Sequence, residues 1–229
     1  MKTEIKSINN EIYRWYQSLE DKSEYAKPYL VTPEDEYCNA EHRGLILGKE
    51  TGGWLENVEN PDIGQVENEY KRIIHKSVSM NGSAFWRMYF DLKDSLVESI
   101  KVTAANVALL GYHYGTKGFP LKYADKLAFY LKKYIEILKP EFLIIFCGAG
   151  TISRSDIPYI RILEMIFGEY QGSEAVKGNS HIEWPLRYLR FAKRGTIRIY
   201  GTRHPERAPR EWKESILITI TETINGLLK

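Results

Sequence analysis

"RGLILGKETGGW", from Arg43 to Trp54, decides how the chain folds. Leu45-Ile46-Leu47 is short and fully apolar, as a strand buried on both faces of a sheet is, and it empties into Lys49, Glu50 and the pair Gly52-Gly53 rather than into a polar turn. Three further runs repeat the pattern: "ANVALL" at 105–110, "FLIIFC" at 142–147 and "TIRIY" at 196–200, each with glycine close behind. Helical spacing fills the gaps at 65–78, 83–99, 122–139 and 157–170, and "EWKESILITITETINGLL" closes the chain as a last helix after Pro209. Strands alternating with helices call for a mainly parallel sheet covered on both faces. The expectation is α/β: a three-layer α/β/α sandwich around a four-stranded, mainly parallel sheet.

The N-terminus carries Ile5, Ile8, Ile12, Trp15, Tyr16 and Leu19 at helical spacing, without the continuous apolar stretch of a signal peptide. Residues 21–42 are polar, contain two prolines and read as an ordered loop or an arm across the surface. "PLRYLRF" (185–191) and "TIRIY" suit a local hairpin with Lys193-Arg194-Gly195 as its turn. A length of 229 residues with 43% hydrophobic content suits one domain, 1–229, with the 1–42 helix and arm packed on it.

Lys plus Arg number 32 and Asp plus Glu 30, so a net charge of +2 gives no global signature of a polyanion binder, and any such site must be local. Cys38 and Cys147 lie far apart without metal-ligand spacing, which points to a reducing compartment and away from a zinc or iron–sulfur centre. With no apolar run near the length of a membrane span, the expectation is a cytoplasmic protein without a membrane partner, taken as a monomer.

In an open α/β sheet, ligands bind beyond the carboxyl ends of the strands. Those positions hold Gly48-Lys49-Glu50-Thr51, then Gly111-Tyr112-His113-Tyr114-Gly115, then Gly148-Ala149-Gly150, and finally Gly201-Thr202-Arg203-His204-Pro205. Taken singly they read as structural: glycines of tight turns, a solvated Lys49–Glu50 pair, a turn histidine at 204. Together they bring a carboxylate, two histidines, cations and open backbone to one edge. "GKETGG" lacks phosphate-loop spacing, "GAGTIS" lacks the third glycine of a dinucleotide fingerprint, and no G-x-S-x-G elbow occurs.

"GKETGG" (48–53) after the first strand and "HPE" (204–206) after the last resemble the two motifs of the uracil-DNA glycosylase superfamily, whose members carry G-Q-D-P-Y, G-x-N-P-G or G-E-x-P-G in the first place and H-P-S in the second. "NGSAFWRM" (81–88) is similar to the N-R-F-W-K segment of the mismatch-specific branch. The resemblance spans residues 43–215 and implies a DNA glycosylase that removes an altered or mismatched base, as in base-excision repair, without metal or organic cofactor. Glu50 then falls where the family orients the hydrolytic water, and His204 where it hydrogen-bonds the base. Both groups suit a reaction that builds positive charge on the sugar and negative charge on the leaving base.

Cleavage requires the nucleotide to be extruded against an aromatic ring, for which Phe85, Trp86, Tyr112 and Tyr114 are candidates. Gly48, Lys49, Thr51, Gly111 and His113 would line the base site, and Arg203, Arg207 and Arg210 would hold DNA phosphates. Thr51 stands where the family has proline, and Glu50 is one methylene longer than Asp. Gly111 stands where uracil readers have asparagine, so the resemblance does not extend to uracil selectivity. Trp212 in "ERAPREW" is a DNA wedge or the first anchor of the last helix. Two other functions fit the same residues: a non-catalytic nucleobase or nucleic-acid binding module, and a small-molecule nucleoside or nucleotide hydrolase using Glu50 and His113.

Overall fold

The computed structural model describes residues 1–50, 55, 57–75, 83–113, 118–147, 157–177, 184–206 and 208–227, the side chains of Glu50 and Ile157 excepted. The apolar run 45–47 is the middle of strand β1 (His42–Glu50). On one side β1 pairs in parallel with β2 (Ile100–Ala108), and on the other with β3 (Phe142–Phe146). Pairing with β3 stops at Leu47↔Ile145, whereas pairing with β2 continues through Gly48↔Asn106 to Glu50↔Ala108. Gly48, Lys49 and Glu50 are therefore the last turn of the pleat rather than a loop after it.

The sheet has six strands, in the order β2-β1-β3-β6-β5-β4, with β4 at Tyr170–Ala175, β5 at Arg187–Phe191 and β6 at Arg198–Thr202. β6 runs parallel to β3, and β5 and β4 then add antiparallel, making the sheet mixed. The expectation of four strands undercounted it. β5 and β6 form the hairpin expected from 185–200. β4 is "YQGSEA", a half-exposed strand with no apolar alternation and a register shift between Tyr170 and Gly172, so its residues carry no periodic signal.

Helices cover both faces: α1 (Lys2–Gln17), the single turn α2 (Asp35–Cys38), α3 (Ile63–Ile74), α4 (Ala84–Ser95), α5 (Ala124–Leu138), α6 (Ile157–Phe167) and α7 (Arg210–Gly226). α3 begins two residues earlier than its apolar spacing suggests because Asp62 and Gln65 form a reciprocal capping box. α4 stops at Ser95, short of 99, since Leu96 turns extended. α6 ends at Phe167, followed by Gly168 at a φ of +77°, which releases the chain into β4.

Successive side chains of a strand face opposite ways. Gly48 lies against Phe85 of α4, and Lys49 reaches over the Tyr159 ring of α6, so α4 and α6 cover opposite faces of β1. α7 packs beside α4, and α5 beside α6.

Residues 21–42 do not cross the surface. Tyr25, Ala26, Tyr29, Leu30, Val31 and Tyr37 are buried, and the Ala26 and Tyr29 amides donate to the Gly111 and Leu109 carbonyls just beyond β2 (3.0 and 2.8 Å). Asn9, fully buried on α1, ties this arm in. Its amide donates to the Val31 carbonyl (3.1 Å) and to Glu67 of α3 (2.8 Å), while the Tyr134 hydroxyl of α5 donates to its Oδ1 (2.5 Å). A polar group so placed is tolerable only because each of these atoms is bonded. Among the described residues no helix is long and apolar enough to cross a membrane.

Candidate functional site

Gly48 and Asn106 are paired residues of β1 and β2. A Cβ on Gly48 would stand 2.5 Å from Asn106 Oδ1 and 3.2 Å from the Phe85 ring, so glycine is what lets an amide and an aromatic close over the strand. Asn106 is 7% exposed in a strand whose other buried residues, Thr103 apart, are apolar. Phe85 is the second residue of α4, where Ser83 fixes the helix start by accepting the Trp86 amide. Its ring meets Phe146 at the end of β3 edge-on (6.2 Å, 82°) and lies nearly parallel to the His204 imidazole (6.3 Å, 11°).

His204 follows β6 by two residues, and its Nδ1 faces the Glu206 amide at 3.2 Å. A backbone N–H can only donate, so Nδ1 is the acceptor and the neutral ring carries its proton on Nε2. The donor this histidine can present is thus set by its own loop. Gly48, Asn106, Phe85, Phe146 and His204 bring the ends of β1, β2 and β3, the start of α4 and the loop after β6 to one place. The group collects an amide, an imidazole and an aromatic ring, chemistry of the kind that suits a flat ring with polar edges.

The other expected site residues are distributed differently. The Glu50 backbone closes β1 opposite Ala108, and its side chain lies outside the described residues, as do Thr51, Tyr114 and Arg207. Lys49 turns to the other face, its Nζ 5.7 Å from the Tyr159 ring centroid. Trp86 is buried at the seam with the arm, stacked on Tyr29 (6.4 Å, 19°) and edge-on to Tyr89. Phe85 and Trp86 part company because neighbours on a helix point about 100° apart.

Gly111, Tyr112 and His113 are held by the arm rather than by this group. The Gly111 carbonyl accepts from Ala26, Tyr112 bridges and packs on Tyr25 (5.5 Å), and His113 Nε2 lies 2.7 Å from the Ser23 carbonyl. His113 also borders a cleft of about 380 Å³ between the end of α1, the arm and residues 57–61, with Lys22 and Lys27 on its wall. Among the described residues, that cleft shares no lining residue with the Gly48–His204 group.

Arg203 stacks its guanidinium 4.0 Å from the Trp184 ring centroid, whereas Arg210, at the start of α7, is exposed and pairs with Glu214 (2.6 Å). Trp212 is buried and donates Nε1–H to the Trp184 carbonyl (3.3 Å), which makes it the anchor of α7 and not a wedge.

Asn106 escaped the sequence reading. The available signal was a lone asparagine inside "TAANVALL", since asparagine is depleted in strands and a buried amide requires partners. Counting strand ends from the last apolar residue placed attention on Gly111 instead, three residues beyond the true end of β2 at Ala108. No family model matches this chain, and no curated protein matches it either.

Proposed function

We propose that this protein hydrolyses the N-glycosidic bond of an altered or mismatched base in DNA. The observation that carries the reading is the Gly48–Asn106–Phe85–His204 group at the carboxyl edge of parallel strands, with the imidazole proton fixed on Nε2. Loss of a base leaves negative charge on it, and a preorganised N–H at that edge stabilises the charge; such donors are worth roughly 3–4 kcal/mol in the transition state. Asn106 supplies the complementary pair of polar atoms for base selection, and Phe85 the stacking face. Glu50, at the end of the strand that carries Gly48, is assigned to orient the attacking water at the sugar carbon. Arg203 is assigned to a phosphate. The parallel run β2-β1-β3-β6, with Gly48 and Lys49 at the end of β1 and His204 after β6, supports placing the fold with the uracil-DNA glycosylase superfamily.

Incubating the protein with oligonucleotides that carry uracil, hypoxanthine, hydroxymethyl or mismatched bases, and then cleaving abasic sites with alkali, tests the activity. Product from at least one substrate, abolished in Glu50→Gln while DNA binding persists, is the expected result. Binding that is indifferent to Glu50→Gln, with no abasic product from any substrate, would favour a non-catalytic binding module. The nucleoside-hydrolase alternative relies on His113, whose ring is engaged by the Ser23 carbonyl rather than aimed at β1.

A further inference from the structure

Trp184 stands immediately before Pro185, three residues ahead of the start of β5 at Arg187, with a φ of +55°, a left-handed backbone that a bulky residue rarely adopts. Such a conformation persists only when its surroundings over-determine it. Here they do: the Trp184 carbonyl accepts from Thr202 Oγ1 of β6 (3.1 Å) and from Trp212 Nε1 of α7 (3.3 Å). Two elements therefore pin one backbone carbonyl, and the consequence is the placement of the indole.

That ring lies under the Arg203 guanidinium, 4.0 Å from its centroid. Arg203 is half-buried, adjoins His204 and, among the described residues, pairs with no carboxylate. Two described arginines near this end of the sheet are engaged, Arg187 by the Ser173 hydroxyl and carbonyl and Arg210 by Glu214. A guanidinium held over an indole face keeps its charge and its N–H donors, while the contact reduces the rotamer freedom that anion capture would otherwise cost.

We infer that Trp184 is a positioning residue that holds Arg203 as a preformed clamp for a nucleotide phosphate beside His204. The ligand's identity as a nucleotide rests on the proposed function; the clamp itself rests on Trp184, Arg203, Thr202 and Trp212. Phosphate suits it because a guanidinium can donate to two phosphate oxygens at once.

Anisotropy titrations of the full chain with a fluorescein-labelled single-stranded deoxyoligonucleotide, repeated over a salt series, test the inference. Arg203→Met should bind about tenfold more weakly, as loss of one charge-assisted contact implies. Its log K against log salt slope should be shallower by about 0.7, the value for one phosphate on a single strand. Trp184→Gly should reproduce both effects in a chain that still folds, because glycine adopts a φ of +55° freely and keeps the carbonyl that Thr202 and Trp212 bond, although loss of the indole's packing against the core lowers the melting temperature. Trp184→Phe should recover part of the affinity, and Arg203→Met should add nothing further in the Trp184→Gly background.

A wild-type slope in Arg203→Met removes the phosphate contact. Full affinity and slope in Trp184→Gly removes the positioning role. Absence of salt-dependent binding by the wild-type protein overturns the whole inference. None of these readings depends on cleavage: lack of abasic product sinks the glycosylase reading alone, and shifted slopes then still support the clamp.

Discussion

Replacing Gly48 by alanine adds one methyl where β1 meets Asn106 of β2 and Phe85 of α4. The new Cβ would sit 2.5 Å from Asn106 Oδ1, with Phe85 ring carbons at 3.2 and 3.4 Å. Carbon and oxygen without a hydrogen bond are at ease roughly 1 Å further apart than the first of these distances. Either the Asn106 amide rotates out of its position or β1 and β2 separate. Overpacking of this kind costs about 1–3 kcal/mol, and a chain of this size loses about 2–4 °C of Tm per kcal/mol. The fall in Tm should therefore be modest, while displacement of the amide should abolish the proposed base recognition. Differential scanning calorimetry reads the first effect and the abasic-product assay the second. Gly226→Ala is the control, because a Cβ there meets nothing within 4 Å. Wild-type Tm together with wild-type cleavage in Gly48→Ala would refute the assignment of Gly48 and Asn106 to the site.

Asn9→Leu should lower stability by about 2–4 kcal/mol in urea unfolding, since it leaves the Val31 carbonyl and the Tyr134 hydroxyl buried without their partner. An effect below about 0.5 kcal/mol, the level of an ordinary surface substitution, would show that the arm is not held by this network. Asp21 is held well below the usual carboxylate range by hydrogen bonds from Lys122 and then Tyr25, with Tyr123 also donating to it. A carboxyl with a depressed folded pKa adds stability that is complete above its unfolded pKa and is lost as pH falls through the folded value. Wild type should therefore be more stable than Asp21→Asn near neutral pH, and the gap should close progressively below about pH 4. A gap that stays constant down to acid pH would exclude this linkage. His204→Ala should remove most cleavage but little stability, and Tm with single-turnover rates on one protein preparation separates the two.

Much of the sheet was legible because β1, β3 and the end of β2 are buried on both faces and so write continuous apolar runs, and β6 shows as isoleucines and a tyrosine around the exposed Arg198. β4 wrote nothing of the kind: an edge strand with both faces half-wet has no pattern to detect. The arm was misread for the opposite reason. Its buried residues include Tyr25, Tyr29 and Tyr37, spaced irregularly among charges and prolines, and only the surface beyond β2 reveals why they are inside. Occupation of that surface by the arm also explains why Tyr112 and His113, sound candidates by the strand-end rule, belong to the arm. His204 and Phe85 were legible through motifs. Asn106 was not, because one amide in an apolar strand acquires meaning only when a glycine is found beside it.

The most direct test of the account is a crystal of this protein soaked with the free base of whichever substrate it cleaves, or with uracil and hypoxanthine in turn. The predicted density is a flat ring on Phe85, with polar edges within hydrogen-bond reach of the Asn106 amide and His204 Nε2. A base bound only in the Lys22–Lys27 cleft, or side chains of Phe85 and His204 too tightly closed to admit any ring, would contradict it.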